Sequence, residues 1–386
     1  MRTIGLRAAI AAHCGVLLAW AAPCQAGEVT RRPFGVLPGG QAVEAIDLAG
    51  GATAVTILTL GAAIQSITTA DRDGHRDDVV LGYDDLAGYI ARPNFFGMTL
   101  GRVANRIGHA RFTLDGTVFR LAGDVAGNTL HGGPRGFDKA VWNVVATSTS
   151  GRPASVTLQL VSPDGDNGFP GTLTTRVTYA VDNRGMLSVR YQATTDKPTV
   201  VSLSNHTYWN LAGSRAGRPA TGMLLTIPAS HITTLGPDHL PTGAFYSVAG
   251  TPFDFRRPAR IDARAGSADA QLALGRGYDH NWVIGRAASS RPRLAARLED
   301  PVSGRIMAMR ATMPGVQMFA GGSYNGIVGK GAVPYARGQG VALEPQMFPD
   351  AQNHPNFPSI VLRPGQTYRA RIEYRFSTGG RTADRP

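Results

Sequence analysis

A two-residue repeat limits this chain to extended structure more tightly than any other feature. Towards the C-terminus, Tyr368, Ala370, Ile372, Tyr374 and Phe376 alternate with Arg369, Arg371, Glu373 and Arg375. Successive side chains of an extended chain point to opposite faces, so this segment reads as a half-buried β-strand. Earlier, Ala110, Phe112, Leu114, Phe119 and Leu121 share one face, and Arg111, Thr113 and Arg120 share the other, about an Asp115-Gly116 pair. Asp-Gly readily adopts the positive φ that a two-residue hairpin turn requires, so a hairpin is expected there. Further strands are expected over 55–68, 155–161, 173–180, 187–193 and 223–227. No long segment has helical period, and 48 glycines with 25 prolines suit many turns. No repeat, linker or composition shift divides residues 27–386. The expected fold class is all-β, one large, mostly antiparallel β-sandwich domain.

Residues 1–26 are set apart as an expected signal peptide. Arg2 and Arg7 precede an apolar run over 8–22, Pro23 breaks it, and Cys24-Gln25-Ala26 ends in a small residue. That pattern predicts cleavage after Ala26 and a periplasmic or secreted location. The run is shorter than the roughly 20 residues a spanning helix needs, so no membrane anchor is expected after processing. Pro23 stands where a lipoprotein signal would carry a small residue, which argues against lipidation of Cys24. Cys14 and Cys24 are the only cysteines. The processed chain would therefore lack disulfides, thiolate catalysis and cysteine metal sites. Its stability would rest on a hydrophobic core, for which its length suffices.

The formal charge of +12 would fall to +10 without Arg2 and Arg7. The basic residues are mostly arginines, scattered and not interleaved with aromatics, so a nucleic-acid site is not expected. Solvated surface charge is the reading they support.

Polar residues gather in five otherwise apolar or aromatic places. These are residues 101–107 (Gly-Arg-Val-Ala-Asn-Arg-Ile), 128–142 around Leu130-His131-Gly132-Gly133, 204–211 around Asn205-His206-Thr207-Tyr208, 277–282 (Gly-Tyr-Asp-His-Asn-Trp) and 343–353 around Glu344 and Phe348-Pro349-Asp350-Ala351. His131, His206 and His280 lack the short paired spacing of a metal site. Gly132-Gly133 is followed by neither Lys-Ser/Thr nor a helical pattern, which excludes a phosphate-binding P-loop. Together the clusters suit a sugar. An aromatic such as Trp209 or Trp282 covers the apolar face of a pyranose, and Asn, Arg, Asp and His fork onto its hydroxyls. A carboxylate and an imidazole supply general base and general acid. The same chemistry serves a lectin or a glycosidase.

These clusters, in this order, resemble the galactose mutarotase (aldose 1-epimerase) family over residues 34–376. The most specific segments are 101–107, Leu130–Gly133, Asn205–Tyr208, Tyr278–Asn281 and Phe348–Ala351, with lesser matches at 166–171 and 252–254. The resemblance implies a mutarotase-like β-supersandwich and an isomerase that interconverts the α and β anomers of a free aldose such as galactose or glucose. It implies no cofactor and no metal. Glu344 is then the base that removes the C1 hydroxyl proton, and His206 the acid that protonates the ring oxygen. Asn105, Arg106, His131, Tyr208, Asp279 and Gln317 match positions that bind the sugar or orient the pair. The implied partner is a free monosaccharide, and no feature assigns an oligomeric state. The chain departs from the family pattern in Pro345 after the base, in Gly321-Gly322, and in Trp209 and Trp282 where Phe is commoner.

Three alternatives stay open on the sequence. A glycoside hydrolase would use Glu344 and Asp279, with carboxylates roughly 5–10 Å apart. A silent sugar-binding protein would not need both Glu344 and His206. A phosphosugar epimerase would need a basic phosphate pocket, and none is assigned.

Overall fold

The structure is a computed structural model, and it describes residues 27–380 except 93, 124–125, 149–152, 321–323 and 325–326. The expected signal peptide and the Gly321-Gly322 departure lie outside the described residues.

Strands dominate, and the two α-helices among the described residues are short, Leu86–Ala91 and Ala270–Leu274. Three sheets make the body. Five strands from Val29–Val36 to Arg76–Asp78 form a meander, each paired antiparallel with the next. A nine-stranded sheet runs from Asn143–Ser148 at one edge to Ala259–Arg260 at the other, with Tyr368–Thr378 at its centre between Leu187–Thr195 and Arg305–Ala311. A six-stranded sheet takes the order Tyr208–Trp209, Val341–Gln346, Gly315–Phe319, Asp279–Val283, His231–Leu235, Pro241–Ser247.

The period-two expectations hold. Residues Arg111–Leu114 and Thr117–Arg120 form the hairpin about Asp115-Gly116, with Phe112 and Leu114 buried and Arg111, Thr113 and Arg120 exposed. In Tyr368–Thr378, Ala370, Ile372 and Tyr374 are buried. The stretch 55–68, expected as one strand, is two, Thr53–Leu58 and Ala63–Ala70, because Gly61 and Ala62 take positive φ and turn the chain.

One contiguous core joins all three sheets. It takes Ile46, Ile57 and Ile67 from the meander, Val177, Tyr191 and Ile372 from the nine-stranded sheet, and Trp209, Trp282, Met318 and Leu343 from the six-stranded sheet. Trp209 packs against Tyr374 across the layers at 4.9 Å between ring centroids. Alternation then gives the six-stranded sheet two unlike faces. Trp209, Leu343, Met318, Val316 and Trp282 enter the core, while Tyr208, Glu344, Gln317 and Asp279 share the opposite face, placed side by side by the register Asn281↔Gln317↔Glu344 and Asp279↔Phe319↔Ala342.

This corrects the expectation that Trp209 or Trp282 covers a sugar. Both are fully buried, and the Trp282 indole N–H donates to Phe253 O at 3.1 Å. Trp209 sits one residue from Tyr208 and Trp282 three from Asp279, odd separations along a strand that turn each the other way.

Candidate active site

The outer face of the six-stranded sheet forms the floor of a cleft of about 280 Å³, lined by Asn94, Phe95, Asn105, Arg106, Leu130, His131, His206, Tyr208, Asp279, Phe319, Tyr324 and Glu344. Seven of the eight residues expected from sequence line it. The eighth, Gln317, lies beneath, where its Nε2 donates to Asp279 Oδ1 at 2.6 Å. On the other side Arg106 Nη1 approaches Asp279 Oδ2 at 3.6 Å. Both oxygens of Asp279 thus face donors, and its carboxylate serves as a bracket for Arg106.

Glu344 and His206 meet at the bottom. Glu344 comes from Val341–Gln346. His206 lies between the short strands Ser204–Asn205 and Tyr208–Trp209, clamped through its backbone. Its N–H donates to Met98 O at 2.8 Å, and its carbonyl accepts from Gly97 N–H at 3.0 Å. Gly97 has φ 71°, and a Cβ there would lie 1.9 Å from Ile64 O, so only glycine fits. Ser204 Oγ donates to Pro345 O at 2.8 Å and ties the segment of the imidazole to the strand of the carboxylate. Pro345 therefore keeps a partner for its carbonyl where the family pattern has Thr.

His206 Nε2 lies 3.3 Å from Glu344 Oε1, and the two side chains are 5% and 2% exposed. Burial dominates their titration. It raises the Glu344 carboxyl well above its usual range, with the nearby Asp279 charge adding to the effect. It also lowers His206 to about 3. A charged pair and a neutral pair at this distance hold the same single proton. Burial places that proton on the carboxyl in the resting pair, and its transfer to the imidazole gives the charged form.

His131 is the second imidazole, 5.3 Å from His206 between ring centroids. Its strand residue Leu130 pairs with Arg106. Its Nδ1 accepts the Asn105 backbone N–H at 3.0 Å, and its own N–H donates to Asn105 O at 2.9 Å. Asn105 and His131 both hold left-handed backbone, φ 63° and 51°. Burial, then the neighbouring His206, push the His131 pKa well down. With Nδ1 accepting, the neutral ring carries its proton on Nε2 and acts as a donor. Ligand-type atoms of His131, His206 and Glu344 all lie within 4.8 Å of one another. The tautomer of His131 leaves it no free lone pair, so the trio suits proton handling better than metal ligation.

Phe95, Phe319, Tyr324, Asn94 and Leu130 were not anticipated. Phe95 stacks on His206 at 5.6 Å and meets His131 edge-on at 4.8 Å. With Phe319 and Tyr324 it supplies the apolar surface expected of the tryptophans. Phe319 was legible, since it lies two residues from Gln317 on one strand. Phe95 was not, because its placement depends on a left-handed φ of 59° in an irregular loop.

The aldose 1-epimerase family model matches residues 44–375. The chain is 40% identical over 352 residues to galactose mutarotase from Rattus norvegicus, covering 90% of this chain and 98% of that protein. It is 36% identical over 324 residues to aldose 1-epimerase from Escherichia coli K12, covering 83% and 91%. Among solved structures, galactose 1-epimerase from Lactobacillus acidophilus NCFM superposes with a TM-score of 0.80 at 27% identity, over 92% of this chain and 99% of that one. An aldose epimerase homologue from C. elegans gives 0.79 at 30% identity, over 88% and 100%.

Proposed function

Because the chain belongs to the aldose 1-epimerase family, we propose that it interconverts the α and β anomers of free aldoses, galactose or glucose among them, with Glu344 and His206 as the proton-transfer pair. The observation that carries the assignment of the pair is the buried carboxylate–imidazole contact at the floor of the cleft. In the charged form of the pair, with its proton moved to His206, Glu344 takes the proton from the C1 hydroxyl. The O–H electrons form the C1 carbonyl, the bond from C1 to the ring oxygen breaks, and His206 gives its proton to that oxygen. Rotation about C1–C2 turns the other carbonyl face to the C5 hydroxyl. Ring closure then returns the proton to His206 and takes the one held by Glu344. The pair begins and ends with one proton, as the opposed titration of its members requires.

Arg106, Asn105 and Asp279 hold the hydroxyls. His131, as an Nε2–H donor, polarises the ring oxygen. The hydrolase alternative is not favoured. Asp279, its second carboxylate, is engaged by Gln317 and Arg106 and is placed to bracket rather than to attack.

A pH dependence follows. kcat/KM reports the free enzyme, and activity needs one proton on the pair. On the acid side the second proton adds to His206, held to about 3 against an ordinary 6.5. On the alkaline side the first proton leaves Glu344, which burial raises. Polarimetry across pH is therefore expected to give a broad bell with no fall in kcat/KM on acidification through 6.5. An acid limb at an ordinary imidazole value would contradict the assignment of His206.

Export is the second element of the proposal. It is supported by Arg2, Arg7, the apolar run and Ala26, and it predicts that N-terminal sequencing of the exported protein begins at or near Gly27. A chain isolated with Cys14 still present would overturn it.

A further inference from the structure

The Phe348-Pro349-Asp350-Ala351 segment follows the strand of Glu344, yet none of its residues lines the cleft. Asp350 is 4% exposed and holds a left-handed backbone, φ 55°. It grips the segment of Arg106 at two points. Its backbone N–H donates to Arg106 O at 3.1 Å, and its Oδ1 accepts the Gly108 N–H at 2.9 Å. The same Oδ1 accepts from Gln352 Nε2 and Asn353 Nδ2, each at 2.7 Å. Asn353 also donates to Arg111 O at 3.1 Å, extending the grip one turn along. His354 Nε2 stands 3.6 Å from Oδ2. Gly108 is what lets the carboxylate come so close, since a Cβ there would lie 3.0 Å from Asp350 Oδ2.

Between these two points lies Ile107, fully buried. Both peptides flanking it are thus fixed by one residue from another part of the chain. Among the described residues, the 3.6 Å approach to Asp279 is the one ion pair that orients the Arg106 guanidinium. Its aim into the cleft is set by its backbone, which Asp350 holds from one side while Leu130 pairs with it from the other and Asn105 Oδ1 accepts its N–H at 2.8 Å.

We propose that Asp350 is a positioning residue for Arg106, coupling the strand that carries the base to the arginine that holds the sugar. This rests on the reading of Arg106 as a ligand of the sugar hydroxyls. A merely structural aspartate would, when removed, reduce the fraction of folded enzyme and leave KM alone. A positioning aspartate raises KM through Arg106.

The experiment measures KM and kcat for galactose by polarimetry, with thermal unfolding as the control for folding, on Asp350→Ala, Asp350→Asn, Arg106→Ala and the Asp350→Ala/Arg106→Ala pair. Asp350→Ala is expected to raise KM by about 10-fold, since small misplacements of a binding group are costly. Asp350→Asn keeps an oxygen for the Gly108 N–H and is expected to stay within about 3-fold of the parent. The double variant is expected to be no worse than Arg106→Ala alone, as for residues acting through one contact. Should Asp350→Ala fail to fold, Gly108→Ala, which crowds Oδ2, takes its place with the same expected rise in KM. If Arg106→Ala raises KM but Asp350→Ala, or its stand-in, does not, or if the two effects multiply, the clamp is wrong. If Arg106→Ala itself leaves KM unchanged, the reading of Arg106 fails, and this proposal with it.

Discussion

Glu344→Gln is expected to lose on the order of 10²-fold or more in kcat for galactose, the usual scale for removing general acid–base help. The substitution keeps the shape of the side chain and its place opposite Gln317 in the sheet. It removes the capacity to take a proton. The carboxyl is 2% exposed, so solvent cannot readily stand in as a base. Binding should persist, because Arg106, Asn105 and Asp279 are untouched. Calorimetry is expected to find galactose binding within a few-fold of the parent, while polarimetry finds the rate collapsed. Near-parental turnover would mean that another group is the base.

His206→Asn is expected to lose about 10²-fold as well, for the complementary reason. When the ring opens, its oxygen leaves as an alkoxide unless a proton arrives, and a carboxamide has none to give. The backbone clamps to Met98 and Gly97 do not involve the side chain and should survive. The ring contacts with Phe95 and Tyr208 are lost, so a modest fall in stability is expected, about 0.5–1.5 kcal/mol for each aromatic contact. Circular dichroism and a denaturant melt separate that loss from the loss of rate. A variant that is folded and fully active would remove His206 from the mechanism.

The strand pattern was readable because half-buried strands alternate, and the segment around Tyr374 does so without a break. The polar side of the site was readable for a different reason. Asn105, Arg106, His131, His206 and Glu344 stand in short apolar contexts where a buried polar group needs a purpose, and their order matches a family. The error over Trp209 and Trp282 came from reading each cluster as a patch. Parity would have corrected it, because Asp279 and Trp282 are three apart on one strand and cannot share a face. Phe95 and Asp350 were beyond this kind of reading. Both depend on left-handed backbone in irregular segments, and the Gly108 N–H that Asp350 accepts lies 242 residues away in sequence.

Ring opening and displacement differ in which bond at C1 breaks. Ring opening cleaves the bond from C1 to the ring oxygen and keeps the C1 hydroxyl oxygen, first as the carbonyl and then as the hydroxyl of the other anomer. Displacement of the kind a glycosidase performs would cleave the bond to the hydroxyl and bring in an oxygen from water. The direct measurement uses α-galactose carrying ¹⁸O at the C1 hydroxyl, with mass and anomer ratio followed together after the enzyme is added. The prediction is anomeric equilibration far faster than the spontaneous rate, with the label retained at the level of an enzyme-free control. Loss of the label in step with anomerisation would contradict ring opening by Glu344 and His206, as would failure to speed equilibration at all.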